Sequence, residues 1–206
     1  LMYTDGNVHK DRNTMQIGFQ EKDKIILEEF KKRMRSSHII RFIDKKKYNP
    51  KHQNIFSFEF TSKQMKKDLI THGCTPKKSF LVRYPINLHS SLDRHFIRGV
   101  IDGDGSILHK GAVNIASGAI KFLQDIKEII SDHLNISDKI QVSTKKGRTA
   151  RLDINYGNKQ DVAKKVFNFL YFKSNPNLRF SRKFIKFKKE INFWFISNIS
   201  SRVSSL

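Results

Sequence analysis

The sequence is short of several things at once, and each shortage excludes a class of protein. A single cysteine in 206 residues, Cys74, excludes an intramolecular disulfide and any cysteine-based zinc cluster. Nowhere do the roughly 18–20 uncharged apolar residues of a membrane-spanning helix follow one another. Acids are scarce: 19 Asp and Glu stand against 40 Lys and Arg, a formal net charge of +21. Such an excess repels itself, and a polyanionic partner relieves the repulsion. A disordered basic tail is excluded too, because hydrophobic residues make up 38% of the chain and Phe alone occurs 17 times. The eight histidines are scattered, which disfavours a histidine-based nuclease centre. No signal-peptide pattern is read in these residues, and a targeting segment is not expected. The length allows one large domain or two small ones. What these exclusions leave is an intracellular, folded protein that binds nucleic acid, with no membrane partner.

What is present is a repeat. Asp5-Gly6 and Asp104-Gly105 lie 99 residues apart, and each opens the same series of elements. After Gly6 come a basic loop (His9, Lys10, Arg12), a strand near Gln16–Phe19 and a helix with Ile26, Leu27, Phe30 and Met34 on one face. After Gly105 come a short element at Ser106–Leu108, a turn at Lys110-Gly111, a strand Val113–Ala116 and a helix striped by Ile120, Leu123, Ile126, Ile130 and Leu134. Ser117 is its expected cap. Each half then has a strand pair, Ile39–Ile43 with Ile55–Phe60 and Lys139–Ser143 with Ala150–Tyr156. The connecting loops, 45–52 and 145–148, are basic. Within the inner strands apolar and polar residues alternate, Phe56, Phe58 and Phe60 with Ser57 and Glu59, and Leu152, Ile154 and Tyr156 with Arg151, Asp153 and Asn155. One face is therefore core and the other polar. Helices follow at Ser62–His72 and Lys159–Tyr171. A last helix near Ser181–Phe195 carries Phe184, Phe187, Ile191 and Phe195 as a stripe. The expected organisation is a first repeat over 1–84, a second over 92–196 and a Ser-rich flexible tail over 197–206, with 85–91 as linker.

Phe96 to Ile107 is the run that carries chemistry. As a helix it puts Gly99 and Gly103 four apart on one face, where two backbones can approach closely. Asp104 then falls at the C-terminal end, where the helix dipole disfavours an anion and a cation would compensate it. Gly105 is expected in the left-handed conformation of a helix stop.

Gly99-Val100-Ile101-Asp102-Gly103-Asp104-Gly105 resembles the last seven positions of the LAGLIDADG motif of homing endonucleases. Leu1-Met2-Tyr3-Thr4-Asp5-Gly6 resembles a degraded copy of the last six, with Tyr3 and Thr4 where Asp102 and Gly103 stand. Gly73-Cys74-Thr75-Pro76-Lys77-Lys78-Ser79, followed by Pro85, is similar to the segment that ends the family's first repeat. Two copies on one chain resemble the single-chain, pseudo-symmetric members. The resemblance implies an α+β fold of two αββαββα repeats, each laying an antiparallel sheet on DNA, and about ten further residues before Leu1. It implies that Asp5 and Asp104 are catalytic and bind Mg²⁺, helped by the carbonyls of Thr4 and Gly103. It also implies hydrolysis of both strands of a long double-stranded DNA site, leaving short 3′ overhangs. A basic residue beside each scissile phosphate maps to Lys77 or Lys78 and to Arg182 or Lys183, of which Lys78 and Lys183 are taken. A water-holding polar residue maps to Gln20-Glu21 in one half and Ser117-Gly118 in the other. Because a glycine has no side chain for that task, equal cutting of the two strands is not expected.

Arg12, Arg41, Lys46, Lys47, Lys51, Lys110, Lys145, Lys146, Arg148 and Arg151 are the candidate DNA contacts. Unlike strand faces predict an asymmetric target, and two repeats on one chain predict a functional monomer, with Tyr3 over the glycine face of the second motif helix. The alternative is a non-cleaving protein of the same fold, either an intron-RNA maturase or a regulatory DNA-binding protein. Survival of both acids favours cleavage, since carboxylates near phosphate serve a pure binder poorly.

Overall fold

The computed structural model describes residues 1–144, 149–155 and 157–203, with side chains described as far as Asn192. Lys145, Lys146, Arg148, Tyr156 and Phe195 from the expectations above therefore lie outside the described residues or side chains.

The two halves have the same topology. In the first, β1 (Gly6–Val8) and β2 (Thr14–Gln20) lead into α1 (Lys24–Arg33), then β3 (Ile40–Ile43), β4 (Ile55–Thr61) and α2 (Lys63–Thr71). In the second, α3 (Ser90–Asp104) precedes β5 (Gly105–Ile107), β6 (Val113–Ser117), α4 (Ile120–Leu134), β7 (Ile140–Ser143), β8 (Ala150–Ile154) and α5 (Gln160–Tyr171). A further helix, α6 (Ser181–Val203), runs beyond the end that the phenylalanine stripe suggested and into the segment expected to be a tail. Both sheets are fully antiparallel, ordered β1-β2-β4-β3 and β5-β6-β8-β7. The α+β class and the two repeats are as the pattern predicts.

Register explains which faces are buried. Ile17 lies opposite Phe58 and Met15 opposite Phe60, and all four side chains are buried under α1. Gln16 opposite Glu59 and Gly18 opposite Ser57 make the other face. Ser57 is nonetheless buried, because Gln16 reaches across and donates from Nε2 to its Oγ at 2.8 Å. In the second sheet Ile115 and Leu152 face the core, and Asn114 and Asp153 share the polar side.

Four local expectations change. Ser117 does not cap α4: its Oγ accepts from Ala119 N at 3.1 Å, one residue before the helix begins. Gly105 is extended (φ −77, ψ 157), not left-handed. What requires glycine there is space, since a Cβ would lie 2.6 Å from the Ile101 carbonyl oxygen. Asn155 does not extend the polar face of β8. It turns left-handed (φ 64), is fully buried and accepts from Lys159 N at 2.8 Å to start α5. Tyr3 does not lie over the glycines. Its ring packs on Phe96 at 4.8 Å and on Phe122 at 6.4 Å.

Two hydrophobic cores result, one under each sheet, and they exchange residues. Phe180, from the loop before α6, is buried in the first core against Phe19 (5.1 Å), while Val82 from the first half is buried in the second. Arg182 also reaches back to the buried Asp23 at 3.1 Å. These exchanges hold the two motif ends side by side.

Candidate active site at the motif crossing

The α3 helix forms because Ile97, Val100 and Ile101 share a buried face, and His89 Nδ1 accepts from Ser91 N (3.3 Å) at its start. It ends at Asp104 because Gly105 turns at once into β5. The first motif makes a single turn, with Thr4 N and Asp5 N both donating to the Leu1 carbonyl (3.3 and 3.1 Å). Gly6 then repeats what Gly105 does: a Cβ there would lie 2.6 Å from Met2 Cα.

The two ends cross at Gly103. A Cβ added there would sit 2.3 Å from Thr4 Oγ1 and 2.6 Å from Asp5 Oδ2, so no other residue fits without displacement. Gly99 faces Leu1 N at an ordinary 3.5 Å. The crossing thus brings Asp5 and Asp104 to the same place, and both stay in contact with solvent. Thr4 Oγ1 donates to Asp5 Oδ2 (2.8 Å) and fixes that carboxylate. The Asp104 carboxyl is raised above the usual carboxylate range, first by loss of solvent from the surrounding cleft and then by the charge of Asp5. Lys78 and Lys183 oppose that rise.

These two lysines occupy matching positions. Lys78 Nζ donates to the Gly6 carbonyl, and Lys183 Nζ donates to the carbonyls of Ile101 (2.8 Å), Gly103 (3.0 Å) and Gly105 (2.6 Å). Each ammonium therefore neutralises the carbonyl end of its own motif turn, where the dipole is negative. Burial holds Lys183 down to about 8, with Arg182 adding to the shift. One lone pair of the Gly103 carbonyl, expected to serve a cation, is already committed to Lys183.

Two cavities flank Asp104. One of about 360 Å³ is walled by Thr4, Lys78, Ser117 and Gly118, and another of about 480 Å³ by Ser106, Arg182, Lys183 and Lys186. Among the described residues no three His, Cys, Asp or Glu side chains converge as a metal cage. The donor set that fits a cation is two carboxylates with adjoining main-chain oxygens, all hard oxygen ligands suited to Mg²⁺ or Ca²⁺ completed by water.

The basic candidates with described side chains lie on the two sheets and their loops. Arg41 and Arg151 stand exposed on the polar strand faces, opposite Ser57 and Ser143. Arg151 is paired with Asp153 (2.7 Å). Arg12 lies in the β1–β2 loop at the Thr14–Thr61 end of the first sheet, while Lys46, Lys47 and Lys51 lie in the β3–β4 loop at the opposite, Gln20–Ile55 end. The first loop is held by Lys66 Nζ on the Lys10 and Arg12 carbonyls (both 2.8 Å). Lys110 differs from the rest: its main-chain N donates to Glu190 Oε2 (3.0 Å) and its φ is 59.

Sequence reasoning missed Asp102. It is 1% exposed and accepts from Tyr171 OH (2.9 Å) and Phe180 N (3.2 Å). Burial raises its carboxyl to about 6. An acid inside an otherwise apolar helical stripe was the available signal. Tyr171 and Phe180, its partners, carry no mark in sequence.

Comparison with known proteins agrees with this fold. Residues 91–166 match the family model described as a LAGLIDADG-like domain. The I-LtrWI LAGLIDADG homing endonuclease bound to target DNA is similar in structure, at 15% identity and a TM-score of 0.59, covering 95% of this chain and 88% of that one. I-SmaMI bound to uncleaved DNA target in the presence of calcium ions gives 11% identity and 0.58, covering 96% and 90%. The N-terminal LAGLIDADG domain of DUF199/WhiA gives 13% and 0.54, covering 85% and 79%. No curated protein matches the chain in sequence. Residues 91–166 thus resemble a LAGLIDADG-like domain, and the chain as a whole has the two-repeat LAGLIDADG fold.

Proposed function

We propose that the protein is a divalent-metal-dependent endonuclease that binds a long, asymmetric double-stranded DNA site as a monomer and hydrolyses both strands. The observation that carries this reading is the convergence of Asp5 and Asp104 at the Gly103 crossing, beside Lys78 and Lys183. Two neighbouring carboxylates repel, and Lys78 and Lys183, already bonded to main-chain carbonyls, do not fully compensate them when phosphates approach. A bound cation does.

Asp5 and Asp104, with the Thr4 carbonyl and the second lone pair of the Gly103 carbonyl, would hold Mg²⁺. When bound, the ion supplies a water of lowered pKa and screens the charge that develops on the leaving oxygen. The protein's own part is positional. Lys183 and Lys78 lock the two helix ends, so the carboxylates keep their separation as DNA docks. Their positive charge also favours a scissile phosphate next to each acid. Arg12, Arg41, Lys46, Lys47, Lys51 and Arg151 hold the backbone on either side, and the strand faces read the bases. The intron-RNA maturase and the regulatory binder share everything but hydrolysis.

The test is cleavage of a randomised duplex library with Mg²⁺, with Ca²⁺ as a second arm. Asp5→Asn and Asp104→Asn should each lower double-strand cleavage by about 10³-fold or more, while binding is kept or slightly tightened by loss of a negative charge. A wild-type protein that binds a duplex tightly with steep salt dependence, yet cuts nothing in Mg²⁺, would transfer the assignment to the non-cleaving binder.

A further inference from the structure

The two repeats finish the edges of their sheets differently. In the second, the chain leaves α4 at the left-handed Asn135, and Ile136 folds back to cover the edge strand, leaving Ile136 and Ile140 each 3% exposed. In the first, the chain leaves α1 and turns at the left-handed Arg35, also five residues before its strand begins. Here Ser36 stands where Ile136 stands. The edge is less covered: Ile40 is only half-buried where Ile140 is buried, and Phe42 is 50% and the preceding Ile39 74% exposed. A groove of about 450 Å³ opens between α1 and β3, with Ile39, Ile40 and Phe56 as its floor and Lys31, Lys32 and Arg35 on its rim.

Register gives the side on which it opens. Ile40 lies opposite Phe58 and Phe42 opposite Phe56, on the core face, whereas Arg41 lies opposite Ser57 on the other face. The groove is therefore behind the sheet, away from the surface assigned to DNA. Its charge is unbalanced. Both acids of α1 are committed, Glu28 to Lys24 and Glu29 to Arg33 at 2.9 Å each, and among the described residues Lys31, Lys32 and Arg35 have no ion pair.

We propose that this groove docks an acidic amphipathic segment of a partner protein, which seats an aliphatic side chain beside Ile39 and Ile40, in the place that Ile136 takes in the core with Ile140. The other repeat is the template, since 128–138 combines Ile129, Ile130, Leu134 and Ile136 with Glu128, Asp132 and Asp138 and has no Lys or Arg. A nucleobase fits less well. The floor is mostly aliphatic, and the Lys24 ammonium already lies over the Phe56 ring at 4.8 Å, where a base would stack. A second copy of this chain is opposed by its +21 charge. The proposal goes beyond the nuclease reading and stands or falls separately from it.

The probe is a fluorescein-labelled peptide with the sequence of residues 128–138, titrated against the full chain and followed by anisotropy. Saturable binding is expected, weakened about tenfold or more by Ser36→Ile, which supplies the missing aliphatic group from within. Ile39→Asp should weaken it similarly, and both variants should keep the wild-type melting temperature and duplex DNA binding. Because Ser36→Ile changes no charge, general attraction of an anionic peptide to a basic protein would survive it. Absence of saturable binding, or binding that Ser36→Ile leaves unchanged, overturns the proposal. So does displacement of the peptide by a single-stranded oligothymidylate, or a wild-type dimer in sedimentation that Ile39→Asp abolishes.

Discussion

The two motif ends share a backbone solution and differ in the side chains that secure it. Gly6 over Met2 and Gly105 over Ile101 make the same close turn, and Lys78 and Lys183 close it in the same way. Behind the turn, the same two positions are joined with opposite chemistry. In the second repeat the buried Asp102 accepts from the Tyr171 hydroxyl (2.9 Å). In the first, 99 residues earlier at both positions, Tyr3 supplies the hydroxyl and donates to the His72 carbonyl (2.6 Å). The turn is repeated where two carboxylates must be delivered to one point. The tie behind it needs only one donor and one acceptor, so the repeats are free to reverse them. The cost is unequal: Tyr3 leaves no buried charge behind, and Asp102 does.

The sharpest way to break the comparison is at the aromatic that covers each second strand. In the first repeat Phe19 is covered by Phe180, which is 2% exposed, and in the second Gly118 is covered by Phe80, which is 74% exposed. The same cover is thus a core residue on one side and a surface lid on the other. Phe180→Ala should cost about 3–5 kcal/mol, and Phe80→Ala under about 1 kcal/mol. Chemical denaturation of both variants checks this, and equal losses would show that the halves are packed alike.

Much of this was legible from pattern. Period-two alternation located β4 and β8 because one face of each is buried, and period-four stripes located α1 and α4 for the same reason. The two acids were legible because Asp-Gly recurs at one offset. Tyr3 was misplaced because the glycine face offers room, whereas Phe96 and Phe122, distant in sequence, offer contact. Asn155 and Ser57 were misread because alternation assumes a strand continues and that its polar face stays open. The first fails at a left-handed residue, and the second where Gln16 reaches across. Lys78 and Lys183 were singled out as phosphate ligands. Their bonds to helix-end carbonyls depend on long-range packing that no local pattern encodes.

The reversed tie makes the second repeat the one sensitive to pH. The Asp102 carboxyl titrates at about 6 in the folded protein against 3.8 for the free side chain. The folded state therefore holds its proton more tightly than the unfolded state does. Stability from this group is full below about pH 4 and falls as pH rises through 4 to 6, by on the order of 2–3 kcal/mol near neutrality. Asp102→Asn should remove that fall while one amide oxygen still accepts a bond. Tyr3→Phe in the first repeat loses a hydrogen bond but no titration, so its loss should be about 1 kcal/mol at every pH. Melting curves from pH 4 to 8 for both variants separate the two. A wild-type profile unchanged by Asp102→Asn would show that the carboxylate is better solvated than its burial implies.

The smallest expected difference is between the two strands cut. Gln20 ends β2, and its Oε1 is buried without a hydrogen-bond partner among the described residues. A buried acceptor in that state calls for an ordered water. The second repeat has nothing similar at the end of β6: the Ser117 hydroxyl is occupied by Ala119 N, and Gly118 lies under Phe80. If that water belongs to the hydrolytic chemistry of one half-site, Gln20→Ala should slow one strand by about tenfold, or about 1.4 kcal/mol, and leave the other nearly unchanged. Ser117→Ala should slow neither by more than about threefold. End-labelled duplexes, or nicked intermediates from a supercoiled plasmid, read the strands separately. Equal slowing of both by Gln20→Ala would mean that the residue supports the fold of the site as a whole, because a water confined to one half cannot delay the cut made by the other.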